Sequence, residues 1–192
     1  MLADKPTPND GKPVFNKKVT WFFIRLFVLF TIWFVCYTLI LLPGRKLDKP
    51  LTNFITAGVT KVINTSSNEQ LGWVADPVRP CTHLTKNGNA IFDIYDVCNG
   101  VDLMFIYVGV LFLLPYPIKR KIIFSVCGIA AIILLNIVRI AGLYFIYIHQ
   151  RSAFDFSHHY LFTLLMYVLI FYGWWLFVKK SKTYDQGQVK AA

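Results

Sequence analysis

Cys98, Arg139 and the pair His158–His159 are the residues of this 192-residue chain whose types could do chemistry together. A cysteine is a useful nucleophile only as its thiolate, and a neighbouring histidine or cation favours that form. A histidine within reach can take the thiol proton and later return it to a leaving amine. An arginine can hold a developing oxyanion, or grip a substrate carbonyl or carboxylate with its planar fork. Such a set suits acyl transfer on a peptide. Asn136 lies one helical turn before Arg139, so the two polar groups share one helix face. Gly100, two residues after Cys98, allows a tight backbone turn, and a helix starting there favours an anion. Asn99 stands between them.

These residues must be positioned by membrane-spanning elements. The chain is 56% hydrophobic and only 16% charged, where soluble domains run near 25% charged. An ordinary soluble enzyme is excluded, and four cysteines are too few for a disulfide-dense secreted scaffold. Four apolar stretches meet or approach the ~20 residues needed to cross a hydrocarbon core. They run over 21–42, 101–118, 122–143 and 160–178. The expected fold is an all-α polytopic integral membrane protein with about four transmembrane helices and a small external segment. The first apolar run is too long for a cleaved signal peptide and reads as an uncleaved anchor.

Charge fixes the expected orientation. Eleven of the 20 Lys+Arg fall before the first span, in the loop around 119–121 and after the fourth span. The positive-inside rule makes that side cytoplasmic, with both termini inside and a location in the cytoplasmic (inner) membrane. The net charge of +10 is therefore a topology signal and not a nucleic-acid footprint. Domain limits follow as a basic tail over 1–18, a transmembrane domain over 19–178 and a second tail over 179–192. Residues 1–16 and 181–192 read as disordered. The external segment, 43–99, carries apolar residues at helical spacing (Leu51, Phe54, Ile55, Val59, Val62, Ile63). That helix either lies at the outer interface or packs on the spans. Asn87-Gly88 signals a short hairpin, and 91–95 has strand composition.

Helical rise then gives depth. Seventeen residues separate Ile122 from Arg139, or ~26 Å at ~1.5 Å each, near the outer boundary of the core. The same ruler sets Cys98 at the outer end of the second span and His158–His159 at the outer start of the fourth. Three separate helices thus bring the set to one depth on the external side. An arginine inside an apolar helix marks a functional site by default. The alternative is that it snorkels to the outer interface without a role, but its pairing with Asn136 on one face favours a cavity or a partner over lipid. Cys36 and Cys127, inside spans, read as packing residues. Cys81 shares the external compartment with Cys98, so a Cys81–Cys98 disulfide is an alternative. His149 reads as an interfacial polar residue and His83 as a loop one. No metal or cofactor is expected, because His149, His158 and His159 lack a matching ligand set and His-Glu-x-x-His is absent. Haem would need histidines facing each other across helices, whereas neighbours on one helix point about 100° apart.

The order of these motifs resembles the exosortase/archaeosortase family. The resemblance rests on Cys98-Asn99-Gly100 after the run Ile91–Val97, on Asn136-Ile137-Val138-Arg139-Ile140 late in a span, and on Phe156-Ser157-His158-His159. It covers roughly residues 90–178 and fits the compact members of the type seen in Bacteroidetes. Many members have Ser or Thr where this chain has Asn99. Many also have an acidic residue after the histidine and a Gly three further on, where this chain has His159 and Phe162. Alignment favours His158 over His159. The resemblance implies a cysteine peptidase or transpeptidase with Cys98 as nucleophile, His158 as general acid/base and Arg139 as stabiliser. Asn136, Asn99, Gly100 and His159 are supporting candidates. It implies exported proteins with a C-terminal sorting signal as partners, cleaved outside at the external membrane face, with the lipid bilayer as the other partner. The rival reading is a non-catalytic membrane adaptor or substrate channel held by the Cys81–Cys98 disulfide.

Overall fold

The computed structural model describes residues 17–67 and 69–191, with side chains described as far as Lys180, Lys18 apart. The N-terminal tail expected over 1–16 lies outside the described residues. Helix α1 (Lys17–Cys36) continues as a π-helical turn over Tyr37–Leu41 and is followed by α2 (Asp48–Ser67). Strands β1 (Leu71–Ala75), β2 (Cys81–Lys86) and β3 (Asn89–Tyr95) come next, then a 3-10 turn over Asp96–Cys98. Helices α3 (Val101–Leu113), α4 (Ile118–His149), α5 (Arg151–Phe156) and α6 (Phe162–Ala191) complete the chain, with a π-helical turn over Ser157–Leu161 between the last two. The protein is a predominantly helical, multi-pass membrane protein.

Among the described residues, three helical segments are long and apolar enough to cross a bilayer: Val19–Leu41, Ile118–His149 and Arg151–Lys180. The expected second span is different. Helix α3 has 13 residues, a rise of ~20 Å against a core of ~30 Å. Pro115 and Pro117 explain the stop, because a residue before proline is pushed out of helical conformation. Leu114 is accordingly extended at φ −75°, ψ 142°. The loop expected over 144–159 is also largely absent. Nothing in the apolar run after Leu143 breaks a helix, so α4 continues to His149 and only Gln150, at φ −144°, interrupts it before α5. Helix α6 likewise runs to Ala191, through the stretch expected to be a disordered tail.

The 43–99 segment folds on the helices and supplies one wall of the site. Its β-strands form an antiparallel sheet in the order β1-β2-β3. The β2–β3 hairpin turns at Asn87 and Gly88, both at positive φ (52° and 82°), the signature of a type I′ turn. The sheet adds β1 to the expected hairpin. Helix α2 buries Ile55, Val59 and Ile63 completely, while Phe54 and Val62 stay exposed. Its buried stripe meets Leu84 and Ile94 of the sheet and Ile137 and Tyr144 of α4. Burying each such aliphatic side chain contributes ~1.5–3 kcal/mol. The stripe is therefore core, the second of the two readings of this helix.

A second core joins α3, α4 and α6 around Tyr107, Leu111, Met166 and Phe177. Tyr107 donates to the Phe124 carbonyl at 3.2 Å, and its own carbonyl accepts from Trp174 Nε1 at 3.2 Å. A Cβ on Gly128 would lie only 1.9 Å from Tyr107 Cε1. Gly128→Ala must therefore displace the ring and its hydrogen bond, an overpacking cost of ~1–3 kcal/mol. Lowered thermal stability of the purified variant in detergent is the expected result.

Candidate active site

Cys98 ends the 3-10 turn, and the chain enters α3 through Gly100 at φ 81°, a left-handed conformation that suits glycine. Three anchors hold this turn. Arg45 donates from Nε to Asp96 Oδ2 at 2.6 Å and from Nη2 to Oδ1 at 3.0 Å, and Thr52 Oγ1 donates to Oδ1 at 2.8 Å. Asn99 accepts from the Val101 amide at 2.9 Å and donates to Asp48 Oδ1 at 2.8 Å. The buried Asp48 also accepts from Tyr37 Oη at 3.0 Å. Finally, the fully buried Asn136 donates to the Cys98 carbonyl at 2.7 Å. Every anchor uses backbone or neighbouring side chains. The Cys98 thiol is left free.

That thiol faces His158. The Cys98 Sγ to His158 Nε2 distance is 3.8 Å, within reach of a sulfur hydrogen bond. His158 sits on the π-helical turn Ser157–Leu161, a local widening of the helix often found at functional sites. Its ring lies parallel to Phe154 at 5.8 Å between centroids. His159 is exposed and meets His158 edge-on at 4.8 Å. Of the two histidines, His158 is the one brought to Cys98. Arg139 enters from α4 and donates from Nη1 to Asn136 Oδ1 at 3.4 Å, while its buried Nε has no hydrogen-bond partner among the described residues.

Cys98, Arg139 and His158 line one cavity of about 240 Å³, walled for the rest mostly by apolar side chains of β3, α4 and α5 such as Phe92, Ile94, Leu143 and Phe154, with Asp93 and Tyr95 also in its lining. Burial pushes the Cys98 thiol above its ordinary pKa, and the Arg139 charge pulls it back. Such a thiol stays protonated at rest. It needs a base at the moment of attack.

The other expected residues separate cleanly from this set. All four cysteines are free, so the Cys81–Cys98 disulfide is not formed. Cys36 and Cys127 lie exposed on the outsides of their helices. His149 hydrogen-bonds the Phe145 carbonyl one turn back, at 2.9 Å. His83 is not in a loop: it lies on β2, partly buried between Asp76 and Asp93. Sequence reading missed the roles of Asp48, Asp96 and Arg45. A carboxylate at Asp48, in line with the buried face of the helix (Thr52, Ile55, Val59), was the available signal.

Comparison with known families bears on this geometry. The family model described as transmembrane exosortase matches residues 18–178. The chain belongs to the transmembrane exosortase family. No curated protein and no solved structure matches it. Membership brings the family's general character, that of membrane-embedded sorting proteins of the protease/transpeptidase kind. The match also extends well beyond the three motifs, from α1 through most of α6.

Proposed function

We propose that this exosortase is a cysteine peptidase or transpeptidase acting on C-terminal sorting signals of exported proteins. The observation that carries the reading is the 3.8 Å approach of Cys98 Sγ to His158 Nε2 in a cavity that also contains Arg139. In the proposed reaction His158 Nε2 takes the Cys98 proton as sulfur attacks the scissile carbonyl carbon. The resulting oxyanion is held by the Arg139 guanidinium. Collapse of the intermediate breaks the C–N bond, and the leaving amine takes the proton from His158. The thioester is then released by an amine acceptor or by water. His158 activates that nucleophile, and the Cys98 thiol is regenerated. Asn136 acts as a positioning residue, holding the Cys98 backbone while orienting Arg139. The apolar walls suit a largely hydrophobic segment of substrate and keep bulk water from the thioester.

Mass spectrometry of exported-protein C-termini, from cells with the wild-type gene and with Cys98→Ala, tests the reading. Truncated C-termini that depend on Cys98 are expected. An unchanged set of C-termini would sink it.

The site is proposed to face the outside, with both termini in the cytoplasm. Residues 43–97 and 144–159 are then external and 115–121 internal, as the Lys119–Lys121 cluster argues. Single cysteines introduced at 119–121, in a background lacking Cys36, Cys81, Cys98 and Cys127, should resist impermeant thiol reagents on intact cells. They should react once the membrane is opened. Labelling of these positions from outside would invert the orientation.

A further inference from the structure

A second group of chemistry-bearing side chains closes the turn between β1 and β2, and the reaction above does not use it. The turn is tight: the Asp76 amide donates to the Cys81 carbonyl at 3.1 Å, and the Cys81 amide to the Arg79 carbonyl at 2.8 Å. Asp76 Oδ1 caps the turn by accepting from the Val78 and Arg79 amides, each at 2.8 Å. Its other oxygen, Oδ2, is turned to His83 Nε2 at 3.0 Å. Cys81 and His83 are two apart on β2 and so project to the same face. Cys81 Sγ lies 4.0 Å from His83 Nε2. The three donor atoms all lie within 4.8 Å of one another. A tetrahedral zinc holds O, N and S donors at about 2.0–2.3 Å, which separates neighbouring donors by roughly 3.3–3.8 Å. Small side-chain shifts convert one arrangement into the other.

An independent feature points the same way. His83 Nδ1 is 2.6 Å from Asp93 Oδ1, its cross-strand partner. A carboxylate on the far nitrogen is the usual outer partner of a metal-bound histidine, because it fixes the tautomer and strengthens the ligand.

We propose that Asp76, Cys81 and His83 form a binding site for a zinc-class divalent cation, with Asp93 as the outer partner of His83 and water as fourth ligand. Binding releases the Cys81 thiol proton and any proton on His83 Nε2, leaving thiolate, carboxylate and neutral imidazole on the metal. Arg79 is the competitor. Its Nε donates to Asp76 Oδ2 at 2.8 Å and its Nη2 lies 3.3 Å from His83 Nε2. With its side chain 57% exposed, it can withdraw into water when a dication arrives. The bound metal would tie the 76–81 turn to β2 and, through Asp93, to β3. Residues 92–95 and 97 of that strand and the turn after it wall the Cys98 cavity. The inference stands apart from the peptidase reading and survives its failure.

Cobalt(II) titrated into the full-length protein in detergent tests it, because thiolate-bound cobalt gives a near-ultraviolet charge-transfer band. One equivalent should produce the band, and zinc should displace it. Cys81→Ser should abolish it, whereas Cys98→Ala should leave it intact. Asp76→Asn keeps the oxygen that caps the turn and should weaken binding several-fold without unfolding the sheet. Arg79→Gln should tighten binding, an effect that a merely structural cluster has no reason to give. Absence of the band in the wild-type protein overturns the proposal. So does a band that persists in Cys81→Ser and disappears in Cys98→Ala.

Discussion

Cys98→Ala and Cys98→Ser should each reduce processing of exported substrates to background, a fall of about 10⁴–10⁶-fold if sulfur is the nucleophile. Helix insertion and thermal stability should stay close to wild type. The anchors explain the second half of this expectation. The turn is held through the Cys98 carbonyl, Asn99, Asp96 and Gly100, and none of these contacts involves the sulfur. Serine keeps the shape and still fails, because a hydroxyl is far less ionised than a thiol and His158 activates it poorly. Cys36→Ala and Cys127→Ala should process near normally, being exposed on the outsides of their helices. Cys81→Ala is the informative control. If it were as inactive as Cys98→Ala, and both proteins were unstable, the loss in Cys98→Ala would be one of folding and not of the nucleophile.

What made Cys98, Arg139 and His158 legible was helical rise, a rule that holds without knowledge of packing. Three residues at one computed depth on three elements do meet at one cavity. Depth alone does not say which way a side chain points. The choice between His158 and His159 accordingly turns on the π-helical turn at 157–161, which no periodicity in Ser-His-His-Tyr announces. The grip of Arg45 on Asp96 and the contact of Asp48 with Asn99 each join residues 51 apart. Pairings of that range leave no local pattern. Strand β1 was missed because Leu71-Gly-Trp-Val-Ala is short and has no apolar–polar alternation. The over-long α4 was missed for a different reason: hydropathy marks where a segment meets water, not where its hydrogen bonding stops. The second helix is shorter than the apolar count suggested because that count ran through Pro115 and Pro117, which end a helix however hydrophobic their neighbours are.

Arg139→Lys should insert and fold normally but process substrate at least ~100-fold more slowly than wild type. The substitution separates charge from geometry. A snorkelling cation needs only a long stem and a positive end, and lysine supplies both. The surroundings of Arg139 argue for more than that. Its Nη1 reaches Asn136, the residue that also holds the Cys98 carbonyl, and its buried Nε has no partner among the described residues. A buried donor without an acceptor carries a desolvation cost of about 1–3 kcal/mol, which a substrate oxygen entering the cavity would relieve. Lysine offers a single point charge and cannot present two aligned donors in one plane. Losing one donor at an oxyanion costs ~3–4 kcal/mol, or ~100- to 1,000-fold in turnover. Arg139→Gln supplies the complementary comparison, keeping a planar amide but no charge. If charge near the thiol matters most, Gln should be slower than Lys; if the planar donors dominate, the order reverses. Near-wild-type processing by Arg139→Lys would remove the guanidinium fork from the mechanism. The oxyanion donors would then have to be backbone amides at the entry to α3, around Asn99 and Gly100, where the left-handed turn at Gly100 leads into the helix N-terminus.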